Sequence, residues 1–226
     1  MSYVFENFSS PGGPTILNPP KLDISIMIGI QKISEKTCDA LYEFVLSQEK
    51  KIIDSYQPVP VAGLYEGLTT RWLDYNFLSL DHPEIANLKA LIKEAYLEYL
   101  SHNNIPRWNN NIQCWANVLR AQDKFQPHEH NYANRCITAT ISLSETDTNT
   151  IYHFPFKLKK NGTNVFTKTI RVPTLKGSII MLPGWVTHMT SPVPPGVTRI
   201  TLGLDIIDIL DVGVPLPFDS GTSFSL

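Results

Sequence analysis

The pattern of apolar and polar positions divides the chain into a helical first part and a strand-rich second part. Residues 22–31 alternate apolar with small or polar side chains, which predicts a strand. Apolar residues then recur at near-helical spacing from Ser34, which suits an N-cap, to about residue 55. A second amphipathic stripe follows Asp81 and Pro83, which suit a cap and a first turn, and ends near residue 103. The sequence therefore predicts one strand and two helices here.

From residue 111 the pattern changes to short strands separated by turn residues, which is typical of a β-sandwich or small barrel. The predicted strands are residues 111–120, 135–143, 150–158, 165–172, 177–182, 186–190 and 198–207. Turns are predicted at 147–149, 161–163 and 192–196, and Asn161-Gly162 is the strongest hairpin signal. We therefore expect an α+β fold that is mainly β, with supporting N-terminal helices.

Length and residue bias indicate one domain. The chain has 226 residues, enough for a substantial core, and contains no internal repeat. We expect a single domain over residues 1–226. Its predicted parts are an irregular leader (1–20), a helical support region (21–110), a β core (111–210) and a surface tail (211–226).

Composition and charge exclude several kinds of partner. The net charge is −2 and the pI is near 6.3, so the chain lacks the basic excess typical of proteins that bind nucleic acid or anionic membranes. It contains neither a signal-peptide pattern nor an apolar run of membrane-spanning length. Cys38, Cys114 and Cys136 are odd in number and widely spaced, which favours reduced thiols over a disulfide framework or a zinc knuckle. These features predict a soluble cytoplasmic protein.

The candidate chemistry centres on the segment Gln126-Pro127-His128-Glu129-His130. In an extended backbone, His128 and His130 point to the same face and Glu129 points to the other. Two imidazoles that converge on one point form half of a metal site. A third histidine, His188, follows about sixty residues later and is a candidate for the other half.

The residues after His188 fit a carboxylate site beside that metal. If residues 192–196 form a turn, the strand that carries His188 folds back next to Arg199 and Thr201. These two residues are two positions apart, so they share a face of their strand. A guanidinium within reach of a metal is a suitable fork for a carboxylate bound at that metal.

The order His128-x-His130, His188, Arg199 resembles the iron(II)- and 2-oxoglutarate-dependent oxygenases. Within them it resembles the prolyl-4-hydroxylase-like branch common in bacteria and phages. The resemblance covers about residues 111–207 and implies a double-stranded β-helix (a cupin-like jelly roll). It also implies iron(II) held by the three histidines.

The same resemblance implies a cosubstrate site. Arg199 matches the arginine that binds the outer carboxylate of 2-oxoglutarate, and Thr201 matches a Ser or Thr found two residues later. Asn117 resembles an asparagine that reaches the cosubstrate in some members. The implied reaction is that of a dioxygenase. It consumes 2-oxoglutarate and O₂, releases succinate and CO₂, and hydroxylates a peptidyl or small-molecule substrate.

One position departs from the family pattern, because a carboxylate usually stands where this chain has His130. Three interpretations remain open at this point. His130 ligates iron directly, Glu129 takes the position, or the site prefers another metal such as zinc, which accepts three histidines. Strand alternation favours His130 over Glu129.

Two other functions also remain open. A cupin-like metal-binding or sugar-binding module without oxygenase activity also presents His-x-His, but the Glu that usually follows in cupins is absent from residues 131–135. A three-histidine zinc hydrolase needs a general base, and the nearby Glu129 is expected to point away.

For the substrate rim we expect residues 65–80 and the hairpin around Asn161. Trp115 and Trp185 are expected in the core or the pocket wall.

Overall fold

A computed structural model describes residues 2–10, 22–58, 60–107, 110–130 and 136–208. Two α-helices, α1 (Glu35–Tyr56) and α2 (Glu84–His102), and a short 3₁₀ helix (Phe77–Ser79) lie in the first half. The strands are β1 (Val4–Ser9), β2 (Asp23–Gly29), β3 (Leu68–Thr69), β4 (Asn110–Leu119), β5 (Cys136–Ser142), β6 (Thr146–Lys160), β7 (Phe166–Thr174), β8 (Ile179–Pro183), β9 (Thr187–Thr190) and β10 (Arg199–Asp208).

The strands form one antiparallel sheet that folds over on itself. Its order is β3-β4-β10-β5-β8-β2-β1-β6-β7, and β9 pairs with β6. Arg199 on β10 and Thr150 on β6 are far apart in this order, yet their side chains are hydrogen-bonded at 2.9 Å. Two layers of strands therefore face each other, and the predicted jelly roll is present.

Strand alternation sorts the side chains into two cores. The even-numbered residues of β10 pack with α1 and α2 in the larger core, on the outer face of one layer. Phe8, Ile26 and Tyr152 belong to a smaller core between the two layers. The odd-numbered residues of β10, from Arg199 to Asp205, face the space between the layers. One strand therefore contributes one face to the larger core and the other face to the space between the layers.

Both predicted helices and all seven strands predicted after residue 111 are present, with bounds within a few residues except at β6. Ser34 caps α1, because its hydroxyl accepts a hydrogen bond from the Thr37 N–H at 3.1 Å. Asp81 does not cap α2, and this prediction is wrong. The helix begins at Glu84, too far along the chain for Asp81, and the His82 Nδ1 accepts from the Glu84 N–H at 3.2 Å instead.

The N-terminal region differs from the prediction of an irregular leader over residues 1–20. Val4–Ser9 forms β1, which pairs along its whole length with β2 and at Phe8 and Ser9 with β6. The hydrogen bonds come from strands distant in sequence, so local residue bias did not reveal them. Because β1 and β2 both lie in the sheet, the β core does not start at residue 111. Residues 11–20 and the predicted tail at 211–226 lie outside the described residues.

The predicted turn at residues 147–149 is also wrong, since these residues lie inside β6. The Thr148 hydroxyl is hydrogen-bonded to that of Thr174 on β7 at 2.9 Å, and the chain reverses earlier, at residues 143–145. The register of β6 against β7 shifts between Thr146 and Asn149, so an irregular strand accommodates the turn-like residues.

Each of the three cysteines is a buried free thiol. Neither α1 nor α2 is both long enough and apolar enough to cross a membrane.

Candidate metal centre

Three histidines meet in a cavity between the two strand layers. His128 pairs with His188 of β9, with the N–H of each donating to the carbonyl of the other at 3.0 and 2.8 Å. The His130 N–H donates to the Gly184 carbonyl at 2.8 Å, which places the second imidazole beside the first. One candidate ligand atom from each histidine lies within 4.8 Å of the other two. The structure thus brings His128, His130 and His188 together.

Backbone carbonyls orient two of the imidazoles. The His128 Nδ1 lies 2.8 Å from the Gln126 carbonyl, and the His188 Nδ1 lies 3.0 Å from the Val186 carbonyl. A carbonyl only accepts hydrogen bonds, so Nδ1 carries the proton in both rings. The Nε2 lone pairs are therefore available for a metal.

The electrostatics of the cavity keep these two imidazoles neutral. Burial lowers the pKa of His128 to about 4, and the neighbouring His130 adds to this effect. Burial and the neighbouring histidines hold the pKa of His188 well below its usual range. Both rings are uncharged at neutral pH, and this is the form that binds metal ions.

His130 is held by side chains instead of a carbonyl. Its Nδ1 donates to the Asp205 carboxylate at 2.5 Å and lies 2.9 Å from the Thr138 hydroxyl. Arg71 Nη1 lies near both ring nitrogens, 3.0 Å from Nε2 and 3.3 Å from Nδ1, and because Nδ1 donates to Asp205, Nε2 is the acceptor. Arg71 Nη2 also pairs with Asp205 at 3.1 Å, so His130, Asp205 and Arg71 form one buried network.

Glu129, the residue between His128 and His130, is not one of the clustered candidate ligands. Glu129 is exposed and lies outside the group of candidate ligand atoms. Glu129 does border the cavity, but its carboxylate is not among the candidate ligand atoms that His128, His130 and His188 bring together. The geometry favours the interpretation in which His130 occupies the second ligand position.

Arg199 presents unused hydrogen-bond donors to the same cavity. The side chain is only 2% exposed, and Nη2 donates to the Thr150 hydroxyl at 2.9 Å. Nε and Nη1 have no hydrogen-bond partner among the described residues. Burial lowers the pKa of Arg199 to about 10, so the guanidinium is still charged at neutral pH. A buried cation with idle donors fits the carboxylate of a bound ligand.

Thr201 and Asn117 lie beside Arg199 on the cavity wall. They face each other in the pairing of β10 with β4, and the Asn117 amide donates to the Thr201 hydroxyl at 3.3 Å. The Asn117 side-chain oxygen, Oδ1, accepts from the Thr69 hydroxyl at 2.7 Å. The structure therefore brings all six predicted site residues to one cavity.

The rest of the wall is mainly apolar. The cavity measures about 260 Å³, which suits a small ligand or the end of a chain. Trp115 is buried in the wall, and Trp72 is 53% exposed, so it marks the mouth. Gly203 lies directly opposite Trp115, and a Cβ at this position would come within 2.4 Å of the indole. Glycine here makes room for the tryptophan.

The predicted rim is correct for one segment only. Residues 65–80 contribute Thr69, Arg71 and Trp72 to the lining. The hairpin at Asn161 contributes none of the described lining residues, since it packs on β1, with the Asn161 N–H donating to the Asn7 carbonyl at 2.8 Å. Trp185 packs against the smaller core, whereas Trp115 lines the cavity.

Arg71 and Asp205 are the residues that sequence reasoning missed. Asp205 carried a usable signal, because it shares the alternation of Arg199 and Thr201 on one strand. Arg71 carried none, since it lies in an irregular segment between β3 and the 3₁₀ helix.

No protein-family model and no curated protein matches the sequence. Solved structures do share its fold. A prolyl hydroxylase from Trichoplax adhaerens, in complex with a hypoxia-inducible-factor peptide fragment, aligns with a TM-score of 0.61 at 10% identity, over 82% of this chain and 84% of that one. The non-heme α-ketoglutarate-dependent carbocyclase SnoK from nogalamycin biosynthesis aligns with a TM-score of 0.58 at 12% identity, over 81% and 79% of the two chains.

A viral collagen prolyl hydroxylase from Paramecium bursaria Chlorella virus 1, in its 2-oxoglutarate complex, aligns with a TM-score of 0.54 at 14% identity. The alignment covers 81% of this chain and 96% of the viral enzyme. At such identities the likeness establishes the fold, which is the double-stranded β-helix of 2-oxoglutarate-dependent oxygenases. The fold implied by the order of the motifs is therefore confirmed.

Proposed function

We propose that this chain, which has the fold of the 2-oxoglutarate-dependent oxygenases, is an iron(II)- and 2-oxoglutarate-dependent dioxygenase. One observation carries the proposal. A buried arginine with two idle donors shares a cavity with three convergent imidazoles. The imidazoles suit a metal ion and the arginine suits a carboxylate, and a keto acid chelated to that metal would use both.

His128, His130 and His188 would hold the iron through Nε2. Three protein ligands leave coordination positions for a bidentate keto acid and for O₂. When bound, iron(II) supplies the redox chemistry by which O₂ oxidises 2-oxoglutarate to succinate and CO₂ and hydroxylates a second substrate. The histidines hold their lone pairs in place, because their Nδ1 protons are engaged by Gln126, Asp205 and Val186.

Arg199, Thr201 and Asn117 would bind the cosubstrate. Arg199 Nε and Nη1 would donate to the outer carboxylate of 2-oxoglutarate, while the bond from Nη2 to Thr150 keeps the guanidinium in orientation. The Thr201 hydroxyl lies on the same face of β10, two residues further on. Because the arginine is buried, its hydrogen bonds to a carboxylate compete little with water.

The apolar wall would exclude water and receive the substrate. Trp115 and Phe125 line the interior, and the exposed Trp72 stands at the mouth. A peptidyl side chain or a small molecule fits a cavity of about 260 Å³.

Spectroscopy of the iron-loaded protein tests the proposal. Anaerobic addition of 2-oxoglutarate to the iron(II)-loaded protein should produce the weak visible charge-transfer band of a chelated keto acid. Admission of air should then yield succinate. A His188→Ala protein should give neither signal. The proposal fails if the wild-type protein gives no band and no succinate.

The three clustered histidines support a second candidate, a cupin-like metal-binding or sugar-binding module without oxygenase activity. Such a ligand set also suits zinc. Elemental analysis of the purified protein separates the two functions. Zinc or nickel as the native metal, together with an Arg199→Ala protein that is unchanged in every ligand assay, would favour the binding module.

A further inference from the structure

A carboxylate lies immediately outside the three-histidine cluster. Asp205 is fully buried, at 0% exposure. It lies on the same face of β10 as Arg199, Thr201 and Gly203. Burial of a carboxylate is costly unless charge and hydrogen bonds compensate it. The environment of Asp205 therefore indicates what the side chain does.

Both oxygens of Asp205 are engaged. Oδ1 accepts from the His130 Nδ1–H at 2.5 Å, and Oδ2 accepts from Arg71 Nη2 at 3.1 Å. The Thr138 hydroxyl donates to the Leu204 carbonyl at 3.0 Å, so its oxygen is directed as an acceptor toward the same Nδ1–H, 2.9 Å away. The contacts with Asp205 and Thr138 assign the proton of His130 to Nδ1 and leave the lone pair on Nε2.

A carboxylate that accepts from the Nδ1–H of a ligating histidine raises the basicity of the ligand and holds its ring in orientation. Arg71 pairs with the other oxygen of Asp205, so the charge of the carboxylate is shared between the histidine and the guanidinium.

We propose that Asp205 is a positioning residue of the metal centre. It fixes the ring of His130 and its Nδ1–H form, so that Nε2 is directed to the metal. The inference rests on the proposed metal site. Arg71 holds the second oxygen of Asp205, and its guanidinium is itself held 4.3 Å above the Trp115 ring. Metal binding would replace the hydrogen bond from Arg71 Nη1 to Nε2 and leave the bond to Asp205 intact.

Cobalt(II) titration of the metal-free protein tests this role. Asp205→Asn keeps the shape but removes the charge, and it should weaken cobalt(II) affinity by roughly 10–100-fold and alter the visible d–d spectrum. Asp123→Asn is a matched control. Asp123 is also fully buried, but it accepts from the backbone N–H groups of Tyr65 and Arg120 and not from a histidine. The control should bind cobalt(II) as the wild type does.

The outcomes are distinguishable. A folded Asp205→Asn protein with wild-type cobalt(II) affinity and spectrum would overturn the inference and leave the proposed function standing. If the wild type itself binds no cobalt(II), zinc(II) or iron(II), the proposed function fails as well.

A measurement on the wild type covers the case in which Asp205→Asn does not fold. In the zinc(II)-loaded protein, ¹⁵N NMR of the histidines should show His130 with a strongly hydrogen-bonded Nδ1 proton and a metal-bound Nε2. An Nε2–H form of His130 would overturn the inference.

Discussion

Arg199 and Thr150 join the two strand layers across the cavity. Arg199 Nη2 donates to the Thr150 hydroxyl at 2.9 Å, and this is the only hydrogen bond of that guanidinium among the described residues. No carboxylate in the described part of the chain pairs with this charge, and burial lowers the pKa of Arg199 to about 10. An anion that binds in the cavity would therefore stabilise this buried cation.

Replacement of Arg199 should separate cosubstrate binding from stability. Arg199→Met should weaken 2-oxoglutarate binding by at least roughly 10–100-fold, because charge-assisted hydrogen bonds contribute about 1.5–3 kcal/mol each. Without cosubstrate its melting temperature should equal or exceed that of the wild type, since an unpaired buried charge is removed. Calorimetric titration and thermal melting check the two effects. Arg171→Met, at an exposed arginine on β7, is the matched control and should change neither.

Neighbouring substitutions should identify the second ligand. His130→Ala should reduce iron(II) or cobalt(II) affinity by at least 10-fold, whereas Glu129→Ala should leave it within about 2-fold of wild type. Glu129 is exposed and outside the ligand group, and His130 is 2% exposed and inside it. Metal titrations of the two proteins make the comparison. Loss of binding in Glu129→Ala alone would reverse the assignment.

The metal-free protein should lose stability as the pH falls from about 6.5 to about 4. In this window the unfolded His128 takes up a proton, whereas the folded residue, with its pKa lowered to about 4 by burial, does not. Protonation then favours the unfolded state, and the contribution from His128 reaches about 3 kcal/mol at most. His188 acts in the same direction.

Urea unfolding at several pH values measures this effect. Acidic residues also titrate in acid, so the wild type is compared with His128→Gln, which should show a shallower fall in unfolding free energy between pH 6.5 and 4. Equal slopes for the two proteins would contradict the prediction.

Gly203 and Trp115 should behave as a coupled pair. Gly203→Ala places a Cβ within 2.4 Å of the indole and should destabilise the protein by about 1–3 kcal/mol. With Trp115→Ala in the background, the same substitution should cost much less, because the clashing atoms are gone. Chemical denaturation of the two single variants and the double variant gives the coupling energy, and strict additivity would show that the two residues do not clash.

Local periodicity accounts for what could be predicted. Alternation placed His128 with His130 and Arg199 with Thr201, and helical spacing located α1 and α2, because these are properties of a few consecutive residues. The side chains that contact the candidate ligands could not be predicted in this way. Arg71 meets Asp205 across 134 positions of sequence, and no local pattern encodes that contact.

The same reason explains the errors in the fold prediction. Strand β1 forms because β2 and β6 supply its hydrogen-bond partners, whereas the Pro, Gly, Ser and Asn content of residues 1–20 favoured an irregular segment. The turn-like residues 147–149 are held in β6 by the Thr148 to Thr174 contact with the next strand.

Strand β10 has one apolar face toward the helices and one polar face toward the cavity, so the register in which it pairs with its neighbours determines whether the site forms. A slip of one residue against β4 and β5 would turn Arg199 and Asp205 toward the helices and Ile200 toward the cavity. The apolar layer under α1 and α2 would then contain two charged groups, and their burial would greatly destabilise the folded state. A shift in register would therefore disrupt the core and the site together, so correct packing of the core ensures correct placement of the site residues.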